Sequence, residues 1–227
     1  MYVRLSGVSK WYHGQTRVLD HVDLEMNRGD FLYVVGGSGA GKSTLLRLIA
    51  TDDVASQGQV QVFGYDLAKV NPSTLRTIRQ SIGYVPQNHQ LISDLSVYEN
   101  IALSSRLSRN PLSGLNLKNS VHELLEKLNL VALRNRSISQ ISGGECQRTA
   151  LARALIRKPE ILIADEPTGS QDPETTWVLM DQFLRANTSG TTVLLATHDR
   201  EIVRRVRKRC AQMKHGRVML EDGLCFY

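Results

Sequence analysis

No run of about 18 apolar residues, the minimum for a membrane-spanning helix, occurs in the chain. Its longest apolar stretches, FLYVV at residues 31–35 and ILIA at 161–164, are strand-sized. The first residues, MYVRLSGVSKWY, lack the apolar core of a signal peptide. The reading is therefore a soluble, cytoplasmic protein that reaches a membrane only through a partner. Cysteine is scarce: Cys146, Cys210 and Cys225 are odd in number and never spaced C-x-x-C. That argues against a zinc site or a disulfide framework and for reduced thiols. Repeats, low-complexity tracts and linkers are also missing, so the 227 residues form one domain long enough to bury a sizeable core. At 41% hydrophobic and 22% charged residues, the composition is that of a globular protein, not a disordered one.

Acidic residues are outnumbered, and the net charge of +6 permits a nucleic acid or an acidic membrane surface as partner. The densest basic run is REIVRRVRKRC, residues 200–210. Ile202, Val203 and Val206 fall at helical spacing, so its arginines read as the solvated face of a helix in preference to a docking surface.

The first sixty residues read as strands and turns, with Asn27, Arg28, Gly29 and Asp30 as a turn. KSTLLRLIA has helical character, and GQVQVFG alternates like a half-exposed strand between Gly58 and Gly64. Residues 96–158 are helical in pattern: VYENIALSSRL, SVHELLEKLNLVAL and GECQRTALARALIRK, the first two separated by a break at 111–116. Buried strands return as EILIAD and TTVLLAT on either side of a helical PETTWVLMDQFLRAN. Short apolar strands alternating with helices predict an α/β fold on a mainly parallel sheet, with the helical middle inserted into it.

GGSGAGKST, residues 36–44, follows the strand FLYVV and fits G-x-x-x-x-G-K-[ST]. Glycines let the backbone curl until successive N–H groups point at phosphate oxygens. Lys42 then reaches the β and γ phosphates, and the Ser43 hydroxyl ligates magnesium. The helix that starts there adds its positive dipole end. Gly36, Gly37, Ser38, Gly39, Ala40, Gly41, Lys42, Ser43 and Thr44 are the candidate phosphate cradle. A flexible glycine turn would not explain Lys42 and Ser43.

ILIADEP delivers Asp165 and Glu166 at the end of a buried strand. Asp165 would orient the Mg²⁺ shell and Glu166 would polarise the attacking water. His198 follows the strand TTVLLAT and, in a parallel sheet, lies at the same edge as Glu166. Gln87, after IGYVP, offers a neutral oxygen to metal or water. A second glycine pair opens a helix at ISGGECQR, residues 141–148. Such a mouth usually faces negative charge.

Together these residues resemble the nucleotide-binding domain of ABC transporters, and the resemblance covers nearly the whole chain. ISGGE is similar to the family signature LSGGQ, which other phosphate-loop enzymes lack. The resemblance implies a P-loop NTPase fold with a mainly parallel core sheet, an N-terminal antiparallel β subdomain and an inserted α-helical subdomain. Residues 1–87 and 158–227 would form the core with its β subdomain, and residues 88–157 the helical part that carries the signature. It implies an ATPase that needs ATP and Mg²⁺ and forms an ATP-dependent homodimer. In that dimer Ser142, Gly143, Gly144 and Glu145 of one copy close over ATP on the other. Tyr12 would stack on adenine, Gln87 and His198 would be the Q-loop glutamine and switch histidine, and Ser170, Gln171 and Asp172 would form the D-loop. Catalysis is thus assigned to Glu166, His198, Lys42 and Gln87, and metal binding to Ser43, Gln87 and Asp165.

VSKWY, SGAGKSTLLRLI, IGYVPQNHQL and SVYENIAL resemble the cell-division branch of the family, whose ATPases pair with a permease-like integral membrane subunit at the cytoplasmic face of the inner membrane. Lipoprotein-release and efflux ATPases are the neighbouring alternative. Departures from the pattern are Gln171 where leucine is expected, Thr51 and Ala55 in place of glycine and proline, and Cys146 in place of glutamine. None touches Lys42, Ser43, Asp165, Glu166 or His198, so hydrolysis is expected to be retained. A soluble translation or chromosome-maintenance member is disfavoured by length, and no nucleic acid is expected as partner; salt-dependent DNA binding would revive that option. A phosphoryl-transferring kinase would leave ISGGE and His198 unexplained.

Overall fold

The computed structural model describes residues 1–12, 16–108, 110–169 and 171–221. Alternation along the strands decides its layers. In β3 (Phe31–Val35), β7 (Ile161–Asp165) and β8 (Thr192–Thr197), the side chains of Phe31, Tyr33, Val35, Leu162, Ala164, Val193 and Leu195 join one buried cluster. Their neighbours Leu32, Val34, Ile161, Ile163, Leu194 and Ala196 join another. Both faces of the sheet are covered, which is why these strands read as unbroken apolar runs. Each fully buried aliphatic side chain contributes about 1.5–3 kcal/mol.

The sheet has six strands in the order β10-β9-β3-β8-β7-β6, where β6 is Ile82–Val85, β9 Arg209–Lys214 and β10 Arg217–Glu221. All neighbours are parallel except β10, which runs antiparallel to β9. A second, antiparallel sheet of β1 (Val3–Tyr12), β2 (Thr16–Met26), β4 (Gln57–Val62) and β5 (Tyr65–Asp66) is ordered β2-β1-β4-β5. Val3, Leu5, Val8, Leu24 and Val60 of this sheet share one cluster with Leu45, Leu46 and Ile49 of α1 (Lys42–Ile49). The opposite cluster holds α3 (Val97–Arg106), α4 (Gly114–Lys127) and α5 (Gly143–Leu155), which lie between β6 and β7, together with α6 (Pro173–Thr188). The remaining helices are α2 (Pro72–Ser81) and α7 (Arg200–Arg205). Among the described residues no helix is long and apolar enough to cross a membrane.

Helix starts follow their caps. Ser96 and Glu99 form a reciprocal capping box on α3, as do Ser142 and Glu145 on α5. Asp172 caps α6 with Pro173 in its first turn. Helix ends were less readable. The pattern SVHELLEKLNLVAL predicts a helix to Leu133, yet α4 stops at Lys127 and Asn129 takes φ 54°, the left-handed position at which asparagine can end a helix. α4 also starts at Gly114, inside the expected break. No element is expected from the sequence at α2, β5, β6, β9 or β10, all of which form. In α7, Ile202 and Val203 are buried while Arg204 and Arg205 point outward, as a solvated basic face requires.

Two local departures have structural consequences. Thr51, in the turn after α1, has φ 64°, a conformation that is costly for a β-branched residue. Arg79 of α2 holds it by donating to the Thr51 hydroxyl at 3.0 Å and carbonyl at 2.8 Å. Cys146 is a free thiol, but Cys210 is disulfide-bonded. That corrects the expectation of reduced thiols at Cys210, because spacing along a chain says nothing about residues that folding brings together. Cys225 lies outside the described residues.

Candidate nucleotide site

Parallel register collects the candidate residues at one edge of the sheet. Val35 pairs with Thr197, Asp165 with Ala196 and Val85 with Ala164. The segments after these strands, beginning at Gly36, His198, Glu166 and Pro86, therefore leave the sheet side by side. Ligands of open α/β sheets bind at this carboxyl edge. A cavity of about 810 Å³ lies here, lined by Gly37 through Thr44, Gln87, Glu166, Gln171 and His198 among others.

The cradle depends on glycine at two points. Gly41 sits at φ 104°, and a Cβ there would lie 2.8 Å from the Val18 carbonyl oxygen. A Cβ on Gly36 would lie 2.4 Å from the Met213 carbonyl oxygen. Both are closer than any side chain permits, so strands β2 and β9 fix the curl of the loop from behind.

Lys42, buried at 8% exposure, donates from Nζ to the carbonyls of Gly36 at 2.8 Å and Gly37 at 3.2 Å. The same ammonium is 3.2 Å from Glu166 Oε1. The other carboxylate oxygen, Glu166 Oε2, is 2.8 Å from His198 Nδ1 and accepts from the His198 N–H at 3.2 Å. Glu166 thus stands between a fixed cation and a rotatable imidazole. Its φ of 51° is a left-handed conformation of the kind that concentrates at functional sites. The Ala196 carbonyl accepts its N–H at 3.0 Å and helps to fix that conformation.

Asp165 is 3% exposed, and its Oδ1 has no hydrogen-bond partner among the described residues. Burial raises its pKa, with a hydrogen bond from Ser43 acting the other way. A buried carboxylate oxygen left unsatisfied beside a hydroxyl fits a divalent cation. Among the described residues no group of three His, Cys, Asp or Glu is placed to hold a metal ion by itself.

At the second mouth the Glu145 carboxylate takes part in the helix cap. Its Oε2 accepts from the Ser142 N–H at 2.7 Å, while the Ser142 hydroxyl accepts from the Glu145 N–H at 3.3 Å. The backbone and side-chain bonds to Ser142 hold the Glu145 carboxyl below its usual range. Nothing among the described residues accepts from Gly143 or Gly144, two of the unpaired donors at any helix start. A Cβ on Gly143 would meet nothing, whereas one on Gly144 would lie 2.8 Å from Gln171 Oε1. Gln171 therefore packs directly against the signature at Gly144. Ser170 lies outside the described residues.

Tyr12 is not brought to the cavity lining. Its hydroxyl donates to Asp53 Oδ2 at 2.5 Å, and Lys10 Nζ lies 4.7 Å from the ring centroid and 2.6 Å from Asp53 Oδ1. Arg47 adds a third contact to Asp53 at 3.1 Å. Sequence reasoning missed Asp53, as it missed His89 and Gln147 in the cavity wall and Arg153 on α5. The available signals were weak: one acid in the turn after α1, a histidine two residues past Gln87, and polar residues inside a helical pattern.

A profile of the family described as ABC transporter matches residues 19–169. The cell-division ATP-binding protein FtsE of Streptococcus pneumoniae is 38% identical over 97% of this chain and 95% of its own length. FtsE of Mycobacterium tuberculosis is 37% identical over 98% and 96%. The methionine import ATP-binding protein MetN of Ralstonia nicotianae is 37% identical over 96% of this chain but only 63% of its own length. A dimeric bacterial ABC transporter cassette superposes with a TM-score of 0.91 at 33% identity, covering 99% of this chain and all of that one. The same holds, at a TM-score of 0.90, for a dimeric post-hydrolysis state of such a cassette bound to ADP and Pi. With the phosphate loop, the Asp165–Glu166 strand end and the signature helix arranged as above, the chain belongs to the ABC-transporter ATPases as an ATP-binding and ATP-hydrolysing subunit.

Proposed function

We propose that two copies of the chain hydrolyse ATP at shared sites and thereby drive a permease-like membrane subunit of the FtsX type at the cytoplasmic face of the inner membrane, where the complex regulates cell-wall hydrolysis in division. The observation that carries the two-copy reading is the mouth at Gly143 and Gly144, where two N–H donors have no acceptor among the described residues and a Cβ on Gly143 would meet open space. Phosphate charge held by Lys42 of one copy would be shared with these donors of the other, so ATP itself closes the pair. The dimeric state of the similar cassettes supports this.

Within each site Lys42 and the loop N–H groups hold the β and γ phosphates. Mg²⁺, held by Ser43, Gln87 and Asp165, would neutralise charge that builds on the phosphate oxygens. Glu166, oriented by His198, accepts hydrogen from the attacking water and aligns it with the γ-phosphorus. When Lys42 binds phosphate, its contact with Glu166 weakens and frees that carboxylate for water. Loss of the γ-phosphate removes the shared charge and reopens the pair. Tyr12 stacks on the adenine from beside the cavity.

Glu166→Gln tests this reading. Turnover should fall by roughly 10²–10⁴-fold, the usual worth of a positioned base, while ATP binding persists and an ATP-bound dimer accumulates on size exclusion. Unchanged turnover, or no dimer, sinks it. For the partner, co-purification decides: a four-helix permease recruited to the division site supports the division reading, and a lipoprotein-binding pair replaces it with lipoprotein release.

A further inference from the structure

The loop that carries Gln87 contains two consecutive residues in the left-handed region, His89 at φ 58° and Gln90 at φ 49°. Each is populated roughly tenfold less than ordinary backbone conformations, so something must hold the pair. Arg153 of α5 does so: its Nη2 donates to the His89 carbonyl at 2.7 Å and its Nη1 to the Gln90 carbonyl at 2.5 Å. This guanidinium is half-buried, and its described partners are those two carbonyls, with no carboxylate among them. A charge partly withdrawn from water needs hydrogen bonds to offset the solvation it loses, and here the two carbonyls supply them.

Gln147 of the same helix also lies beside this loop, lining the same cavity wall as His89. The far end of the loop hangs elsewhere. Asn100 of α3, 1% exposed, accepts from the Ile92 N–H and donates to the carbonyls of Ile92, Leu95 and Ser96. Only the part beside Gln87 is therefore hung from α5.

We propose that Arg153 is a positioning residue for Gln87: it clamps the His89 and Gln90 carbonyls, holds a turn the chain would otherwise leave, and so ties the seat of Gln87 to the helix that begins at the second phosphate mouth. α5 has 13 residues, about 20 Å of stiff rod, with Gly143 and Gly144 at one end and Arg153 in its last turn. A shift of the mouth onto nucleotide held by the other copy moves Arg153, and with it the Gln87 loop of the same chain. The occupancy of one site thereby reaches the other. This coupling rests on the two-copy reading above; the clamp does not.

The test uses the full chain with Arg153→Gln, Gln90→Gly and the two combined. The first readout is hydrogen exchange of residues 86–92 without nucleotide or metal. In Arg153→Gln the His89 and Gln90 amides, which donate to the Pro86 and Asn88 carbonyls, should exchange about tenfold faster. Adding Gln90→Gly should restore protection to within about threefold, because glycine adopts positive φ at no steric cost. The second readout is steady-state hydrolysis: kcat falls at least tenfold in Arg153→Gln, the Mg²⁺ needed for half-saturation rises, and Gln90→Gly recovers most of both while leaving the parent chain unchanged. If circular dichroism shows Arg153→Gln unfolded, Arg153→Lys carries the same comparison, with one donor group in place of the fork. Unchanged exchange at 86–92, or no rescue by Gln90→Gly, overturns the clamp. A clamp upheld by exchange with an undiminished Hill coefficient for ATP overturns the coupling alone. A Glu166→Gln chain that does not dimerise fails the two-copy reading while leaving the exchange result standing.

Discussion

Thr51 shows how a departure from a family pattern is accommodated. The position needs positive φ, where glycine is free of strain and threonine is not, and the bonds from Arg79 hold the threonine in place. Thr51→Ala would lose the hydroxyl's bond and keep the backbone strain, whereas Thr51→Gly would lose the bond and relieve the strain. The glycine variant should therefore be the more stable of the two by about 1 kcal/mol, read from urea midpoints. Asp53 gives the pH test. Burial pushes its carboxyl up, but hydrogen bonds from Lys10, Tyr12 and the Val54 N–H outweigh that and leave it below its usual value. A depressed folded pKa gives stability that is present above the unfolded value of 3.8 and is lost as pH falls through the folded one. Asp53→Asn should therefore be less stable than the parent at neutral pH, and the gap should close below about pH 4. Denaturation between pH 7 and pH 3 checks this.

At the scale of elements, α5 carries the most. Its capping box satisfies two groups that would otherwise be orphaned, and Ser142→Ala should cost about 1 kcal/mol of stability, seen as a lower melting temperature without ATP. Glu145 was assigned to nucleotide from its place in the signature motif. The structure gives its carboxylate to the helix cap, because a carboxylate at the third position reaches back to the N-cap N–H. The motif was legible in the sequence, but the capping role of its Glu145 was not.

For the molecule as a whole, the two-copy site makes a prediction that no single-chain site shares. Lys42→Ala breaks the phosphate loop, and Gly143→Asp puts a negative charge at the second mouth without a steric clash. Each variant alone should be inactive. Mixed, they form dimers with one site broken twice and one intact, so up to about a quarter of the parent rate should return if chains pair at random with two-fold symmetry. A mixture as inactive as its parts would place the whole site within one chain.

Much of this protein is written locally. The phosphate loop, the strand that ends in Asp165 and Glu166, the histidine after the next strand and the second glycine mouth were all visible, because each chemistry requires particular residue types at fixed spacing. The covering of both sheet faces could be read from unbroken apolar runs. Folding decided what spacing cannot express: that Lys42 and Glu166, 124 positions apart by number, meet at 3.2 Å; that Tyr12 is held by Asp53; that Cys210 is disulfide-bonded; and that Arg153 reaches back 63 residues to the Gln90 carbonyl. Parallel register sets these meetings, and register depends on which faces the whole chain can bury at once. Local pattern fixes which chemistry is present, and the packed sheet fixes which groups can touch.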